Sequence, residues 1–181
     1  MGSSWSFFTF MNLCFLFFFL QLTASSSRKP LCHEVEHYAL IQFKESLFID
    51  KSWVQLGISN DPSAYCKTAL WNLEENSDCC SWDGVECNEE TGYVIKLDLS
   101  SSCLYGSINS TSTLFHLVHL QWLSLAHNDF NDSKIPSGIM NLSRLLHLNL
   151  SISHFSGQIP PEMLELSNLE FLDLSHNSLQ G

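Results

Sequence analysis

The sequence is short of positive charge. Only 8 of its 181 residues are Lys or Arg, against 19 Asp or Glu, for a net charge of −11. Between Cys32 and Asp98 there are 13 acids and 4 bases. Such a field repels nucleic acid and anionic lipid headgroups, so no nucleic-acid partner is expected. The paired C-x2-C spacing that wraps a tetrahedral ion is missing, and neither a metal nor a cofactor is expected. HExxH and GxSxG are also missing. The 8 histidines come without a nucleophile–base set, so the chain is not expected to be an enzyme.

Charge is absent altogether from the first 27 residues, since Arg28 and Lys29 are the first charged side chains. Phe7 to Leu22 is almost wholly apolar, and Ala24-Ser25-Ser26-Ser27 follows it. This order predicts a secretory signal peptide over 1–27, cut near Ala24 to Ser27. No basic residue precedes the run, and its length is at the lower limit for a bilayer span, which leaves an uncleaved anchor as the alternative. The start Met1-Gly2-Ser3-Ser4-Trp5-Ser6 fits a loose myristoylation pattern. An exported N-terminus, however, does not meet the cytosolic acyltransferase. Removing the leader removes Cys14 and leaves Cys32, Cys66, Cys79, Cys80, Cys87 and Cys103. An even set of cysteines in an oxidising compartment predicts disulfides.

What the chain has in abundance is a repeat. Leu-x-Leu pairs stand at Leu97/Leu99, Leu123/Leu125, Leu148/Leu150 and Leu172/Leu174, spaced 26, 25 and 24 residues apart. The alternation puts both leucines on one face of a short strand and the residue between them on the other. One such strand cannot bury its leucines alone, so units must stack and share a core. Three positions after each pair come Ser102, Asn128, Ser153 and Asn177. Small polar side chains there can bond to buried turn backbone of the adjoining coil, a structural ladder rather than ligands. Each coil then runs Phe or Leu, Gly, Ile, Pro, most clearly in Phe155 to Pro160. Gly157 permits a tight bend, and Pro160 blocks continuation as a strand.

A solenoid end needs a cover. From His33 to Phe48, Ala39, Leu40, Phe43 and Leu47 recur at helical spacing. Glu34 and Glu36 fall in the first turn, where the helix dipole favours anions. Gly57 to Cys66 breaks the helix. Val85, then Val94 to Leu99, read as short strands with a turn at Glu89 to Gly92.

Two signatures cover Leu31 to Gly181. One is Trp71-Asn72 followed by Asp78-Cys79-Cys80-x-Trp82-x-Gly84-Val85-x-Cys87, and the other is LxxLxxLxLSxNxxxGxIP. Together they resemble the N-terminal cap and first repeats of plant extracellular leucine-rich-repeat proteins. Cys66, Cys103 and the wording LDLSSSCLYG are most similar to receptor-like proteins of the tomato fungal-resistance type. The resemblance implies an α/β fold: a right-handed leucine-rich-repeat solenoid with a parallel concave sheet and a helical, disulfide-bonded cap. It implies a cap over 28–93 and about four repeats over 94–181, the last incomplete. It implies Cys80 joined to Cys87 and Cys32 to Cys79, leaving Cys66 with Cys103. Six cysteines by themselves leave the pairing open, though adjacent Cys79 and Cys80 are poorly placed to bridge.

Four Asn-x-Ser/Thr sequons, at Asn109, Asn131, Asn141 and Asn149, are expected glycosylation acceptors. A glycan on Asn149 would stand on the outward strand face and obstruct it. The candidate ligand face is the set of outward strand residues: Lys96, Asp98, Trp122, Ser124, His147, Asn149, Phe171 and Asp173. Trp122 and Phe171 are exposed aromatics by this pattern, a type enriched in binding hot spots. Four strands give a face only roughly 15–20 Å wide, small for a specific protein interface. The sequence stops inside a repeat, so it is expected to be a fragment or a truncated product. The resemblance implies recognition of a protein, peptide or glycan ligand in defence against pathogens. It implies a cell-surface location, a membrane span outside this chain and a co-receptor kinase. The alternatives are a secreted inhibitor of pathogen cell-wall-degrading enzymes and the ectodomain start of a receptor kinase.

Overall fold

A computed structural model describes residues 29–51, 65–72 and 77–180. The expected signal peptide and most of the loop from Gly57 to Cys66 lie outside the described residues. Within them are one helix, α1 (Glu34–Glu45), and nine short strands. These are β1 (Phe48–Ile49), β2 (Val85–Cys87), β3 (Val94–Asp98), β4 (Leu104–Tyr105), β5 (Trp122–Ser124), β6 (His147–Asn149), β7 (Ser156–Gln158), β8 (Phe171–Asp173) and β9 (Ser178–Gln180).

The leucines set the architecture. Leu97, Leu123, Leu148 and Leu172 lie directly side by side on the parallel strands β3, β5, β6 and β8. The first three are essentially fully buried, as are Leu99, Leu125 and Leu150 behind them. Each coil covers the leucines of the one before it. Leu172, in the last described coil, is 47 % exposed. A second buried column holds Leu104, Phe130 and Phe155, with the two phenyl rings stacked at 4.8 Å. The fold is a right-handed leucine-rich-repeat solenoid whose parallel sheet forms the concave side.

Buried turns between the columns would leave backbone groups without partners, and the ladder residues supply them. Asn128 Oδ1 accepts from the amides of Ser102 (3.1 Å) and Leu104 (3.0 Å). Its Nδ2 donates to the carbonyls of Leu99 (2.8 Å), Leu125 (2.9 Å) and Ala126 (3.2 Å). Asn177 repeats the arrangement one coil pair later, on Ser153, Phe155, Leu150 and Leu174. Between them, the Ser153 hydroxyl donates to Leu125 at 2.8 Å and to Ser151 at 2.9 Å. The residue before each ladder position, Ser101, His127, Ile152 or His176, takes φ between 51° and 56°. This left-handed step points the next side chain inward. It strains Ile152 most, because a β-branched residue tolerates that region worst.

The Gly-x-Ile-Pro segments do more than bend. β7 pairs in parallel with β9, β1 pairs antiparallel with β4, and bridges at Tyr105–Asp129 and Lys134–Ser156 link adjacent coils. A second, discontinuous sheet thus runs along the coils. Gly157 kinks inside β7 at φ +77°, and the strand ends at Gln158, before Pro160.

The cap seals the open end of the leucine column. α1 buries Ala39, Leu40, Ile41 and Phe43. Trp71 and Trp82 stack at 5.2 Å and are buried. The hairpin β2–β3 extends the parallel sheet by one antiparallel strand. Its close approach requires Gly84, whose φ is +82° and whose Cβ position would stand 2.4 Å from the Asp98 carbonyl oxygen. Disulfides join Cys32 to Cys79, Cys66 to Cys103 and Cys80 to Cys87. Their Cα separations are 5.5, 5.1 and 5.4 Å. Cys66–Cys103 ties the cap to the first repeat.

Glu36 stands in the first turn of α1, as expected, and has a second role that the sequence did not reveal. It is buried and accepts from the Val94 amide at 2.7 Å. The cap helix thereby satisfies the first strand of the repeats. Burial raises its pKa above the usual 4.5, against the lowering effect of the Val94 amide. A raised folded-state pKa means the folded protein favours the protonated acid. Wild-type stability should therefore decline as pH rises from the unfolded value through the folded one. Glu36→Gln is neutral throughout and keeps an acceptor for Val94. Urea unfolding from about pH 4 to about pH 7 should show the variant gaining on the wild type as pH rises. A constant difference would contradict the burial.

Candidate ligand-binding face

Parallel register turns equivalent repeat positions into columns. Lys96, Trp122, His147 and Phe171 are directly paired across β3, β5, β6 and β8. Neighbouring strands are about 4.8 Å apart, close to the thickness of stacked rings. The Trp122 and His147 rings stack at 3.4 Å with planes 4° apart, and His147 and Phe171 at 4.1 Å and 3°. The Lys96 ammonium sits 5.3 Å from the Trp122 ring and 3.6 Å from the Glu86 carboxylate. Trp122 and Phe171 are 38 % and 45 % exposed. Because the ring faces cover one another, the column offers mainly ring edges, which carry the positive end of the ring quadrupole.

The second predicted column holds Asp98, Ser124, Asn149 and Asp173. Three of these side chains turn back on their own chain. Asp98 accepts from the amide (3.1 Å) and hydroxyl (2.5 Å) of Ser100. Asn149 accepts from the amide (3.0 Å) and hydroxyl (2.7 Å) of Ser151, and Asp173 from the Ser175 amide (2.9 Å). Asp98 also pairs with Lys67 of the cap at 3.3 Å. Burial pushes its carboxyl up, but Ser100 and Lys67 together outweigh this and hold it below the ordinary value. The Ser175 hydroxyl and amide likewise hold Asp173 down. Ser124 was expected to face solvent, yet it is buried. It is the smallest member of its column and lies between Asp98 and Asn149. This column finishes the strands, while the ring column is what the face presents.

A third column was not singled out in the sequence. Tyr93 and His119 stand four residues before Leu97 and Leu123, and their rings stack at 3.7 Å. His33 of the cap stacks on Tyr93 at 3.8 Å. Glu36 lies beneath, with its carboxylate 3.8 Å from His119 Nδ1. Burial lowers the His119 pKa, as do Arg144 and His33. Aligning the repeats at that offset, where Arg144 and Asn168 follow, would have revealed the column. Of the sequons, Asn109, Asn131 and Asn141 are exposed. Asn149 is half-buried and shares the outward face of β6 with His147.

Comparison with known proteins matches these features to a family. The Leucine rich repeat N-terminal domain model matches residues 33–88, and the Leucine Rich Repeat model matches 119–142 and 168–181. Receptor-like protein 6 of Arabidopsis thaliana is 42 % identical over 156 residues, covering 84 % of this chain and 16 % of that protein. Receptor-like protein Cf-9 of Solanum pimpinellifolium is 42 % identical over 159 residues, covering 86 % and 18 %. The chain belongs to the plant leucine-rich-repeat receptor-like proteins. It spans less than a fifth of the length of these two relatives. Among solved structures, the Arabidopsis receptor kinase HAESA with the peptide hormone IDA and the co-receptor SERK1 is 30 % identical at a TM-score of 0.60. That likeness covers 81 % of this chain and 22 % of the other.

The stacked column has a measurable consequence in this receptor-like protein. Burial lowers the His147 pKa below 6.5, and the Lys96 cation adds to this against the raising effect of Asp98. Trp122→Ala should uncover the imidazole and bring its pKa back toward 6.5, read by NMR titration of the ring protons. An unchanged value would mean that Trp122 does not cover it.

Proposed function

We propose that this chain is the recognition end of an extracellular receptor-like protein, and that its concave face contacts a protein or peptide ligand. The observation that carries the reading is the outward column Lys96–Trp122–His147–Phe171, in which Trp122 and Phe171 are exposed and Lys96 and His147 half-buried. Large aromatic and cationic side chains held rigidly at the centre of a sheet form the kind of surface that anchors a partner at low entropic cost. Relatives named as receptor-like proteins support the receptor role. The HAESA structure, with its peptide hormone and co-receptor, supports a peptide-class ligand and a partner kinase. Defence against pathogens is the biological setting we assign. Among the described residues no helix is long and apolar enough to cross a membrane. A face roughly 15–20 Å wide supplies part of a binding site, so ligand and signal belong to a longer protein. No catalytic step is assigned to the chain.

Photo-crosslinking tests this. A benzophenone side chain is placed at position 122, 171 or 164 of the protein secreted in leaf tissue. Leu164 is exposed on the 3-10 turn Pro161–Glu165, away from the sheet. Adducts with extracellular peptides or proteins should form at 122 and 171 and not at 164. Equal capture at all three positions would overturn the reading.

A further inference from the structure

A groove of about 640 Å³ crosses three consecutive coils where the second sheet meets the 3-10 turns. Its volume lies in the range of pockets that hold a small ligand. Pro136, Ile159 and Pro160 give it apolar walls, and Lys134 and Gln158 give it polar ones. Asn109 is part of the wall. It opens the sequon Asn109-Ser110-Thr111, and its Oδ1 accepts from the Thr111 amide at 2.9 Å and hydroxyl at 2.7 Å. This turn fixes the carboxamide and leaves Nδ2, the atom through which a glycan is joined, outside it. Asn131 and Asn141 are exposed but do not line the groove.

We propose that Asn109 carries an N-linked glycan whose inner sugars lie along this groove and brace the coils that form it. Sugars suit these walls, since each ring has an apolar C–H face and a rim of hydroxyls. The C–H faces meet Pro136, Ile159 and Pro160, and the hydroxyls meet Lys134 and Gln158. Tethering supplies what weak contacts lack, because a short link gives an effective concentration in the millimolar range. The attachment is a group transfer from a lipid-diphosphate-linked oligosaccharide of the secretory route. Asn109 nitrogen bonds to C1 of the reducing sugar, the C1–O bond breaks with the lipid diphosphate leaving, and the amide proton passes to a base of the transferase. The inference rests on the extracellular reading above.

The test uses the full chain secreted from plant cells with its glycans kept in the high-mannose form. Peptide mass spectrometry locates the glycans. An endoglycosidase then trims each to a single sugar, and melting is measured before and after. Trimming should lower the Tm of wild type and of Asn141→Gln by about 3 °C, roughly the effect of one kcal/mol in a domain of this size. It should leave Asn109→Gln unmoved. Equal drops in both variants, or an unmodified Asn109 beside modified neighbours, would overturn the proposal. Absence of glycan at all four sequons would instead overturn the extracellular reading itself.

Discussion

Everything in this solenoid depends on how buried turns satisfy their backbone. A coil that buries its leucines must also bury the peptide groups that turn the chain from one sheet toward the other. Each unpaired group would cost about 1–3 kcal/mol. Asn128 bonds to five backbone groups, two amides and three carbonyls, on its own coil and the one before it, and shares the Leu125 carbonyl with Ser153 and the Ala126 carbonyl with the Ser101 amide. The bonds run between coils, so they also fix register. Ser102 and Ser153 alternate with Asn128 and Asn177, and the shorter side chains suffice because an asparagine from the next coil reaches back to each of them.

Register is what turns packing into a surface. Once Leu97, Leu123, Leu148 and Leu172 are aligned, every other repeat position becomes a column as well. The physical character of each column then decides its use. Asp98, Asn149 and Asp173 spend their oxygens closing their own strand ends. Trp122, His147 and Phe171 have no such local bond to make, and they stack into a ring column whose edges face outward. The cap performs the complementary task at the other end. Glu36 satisfies Val94, Lys67 satisfies Asp98, and Cys66–Cys103 holds the two parts in covalent contact.

The leucine period, the ladder positions and the outward strand residues were legible in the sequence, because each follows from spacing within one coil. Features that depend on a neighbouring coil were not. The second sheet arises from pairing between segments that each read as a bend. Glu36 looks like an ordinary helix-start acid until the Val94 amide is brought beside it. Ser124 sits at an outward position and is buried because its column neighbours are larger. The edge-on presentation of Trp122 is set by ring planes, which alternation in a sequence does not specify.

The claim that side-chain amides of the next coil hold the buried turns is tested most directly by hydrogen exchange on the secreted protein. The amides of Ser102, Leu104, Ser153 and Phe155 bond to asparagine side chains rather than to a strand. Their protection should equal that of the Leu125 amide, which directly follows β5 and bonds to the Asn149 carbonyl of the next coil. Exchange at those four positions as fast as at the exposed turn around Glu90 and Thr91 would contradict the claim.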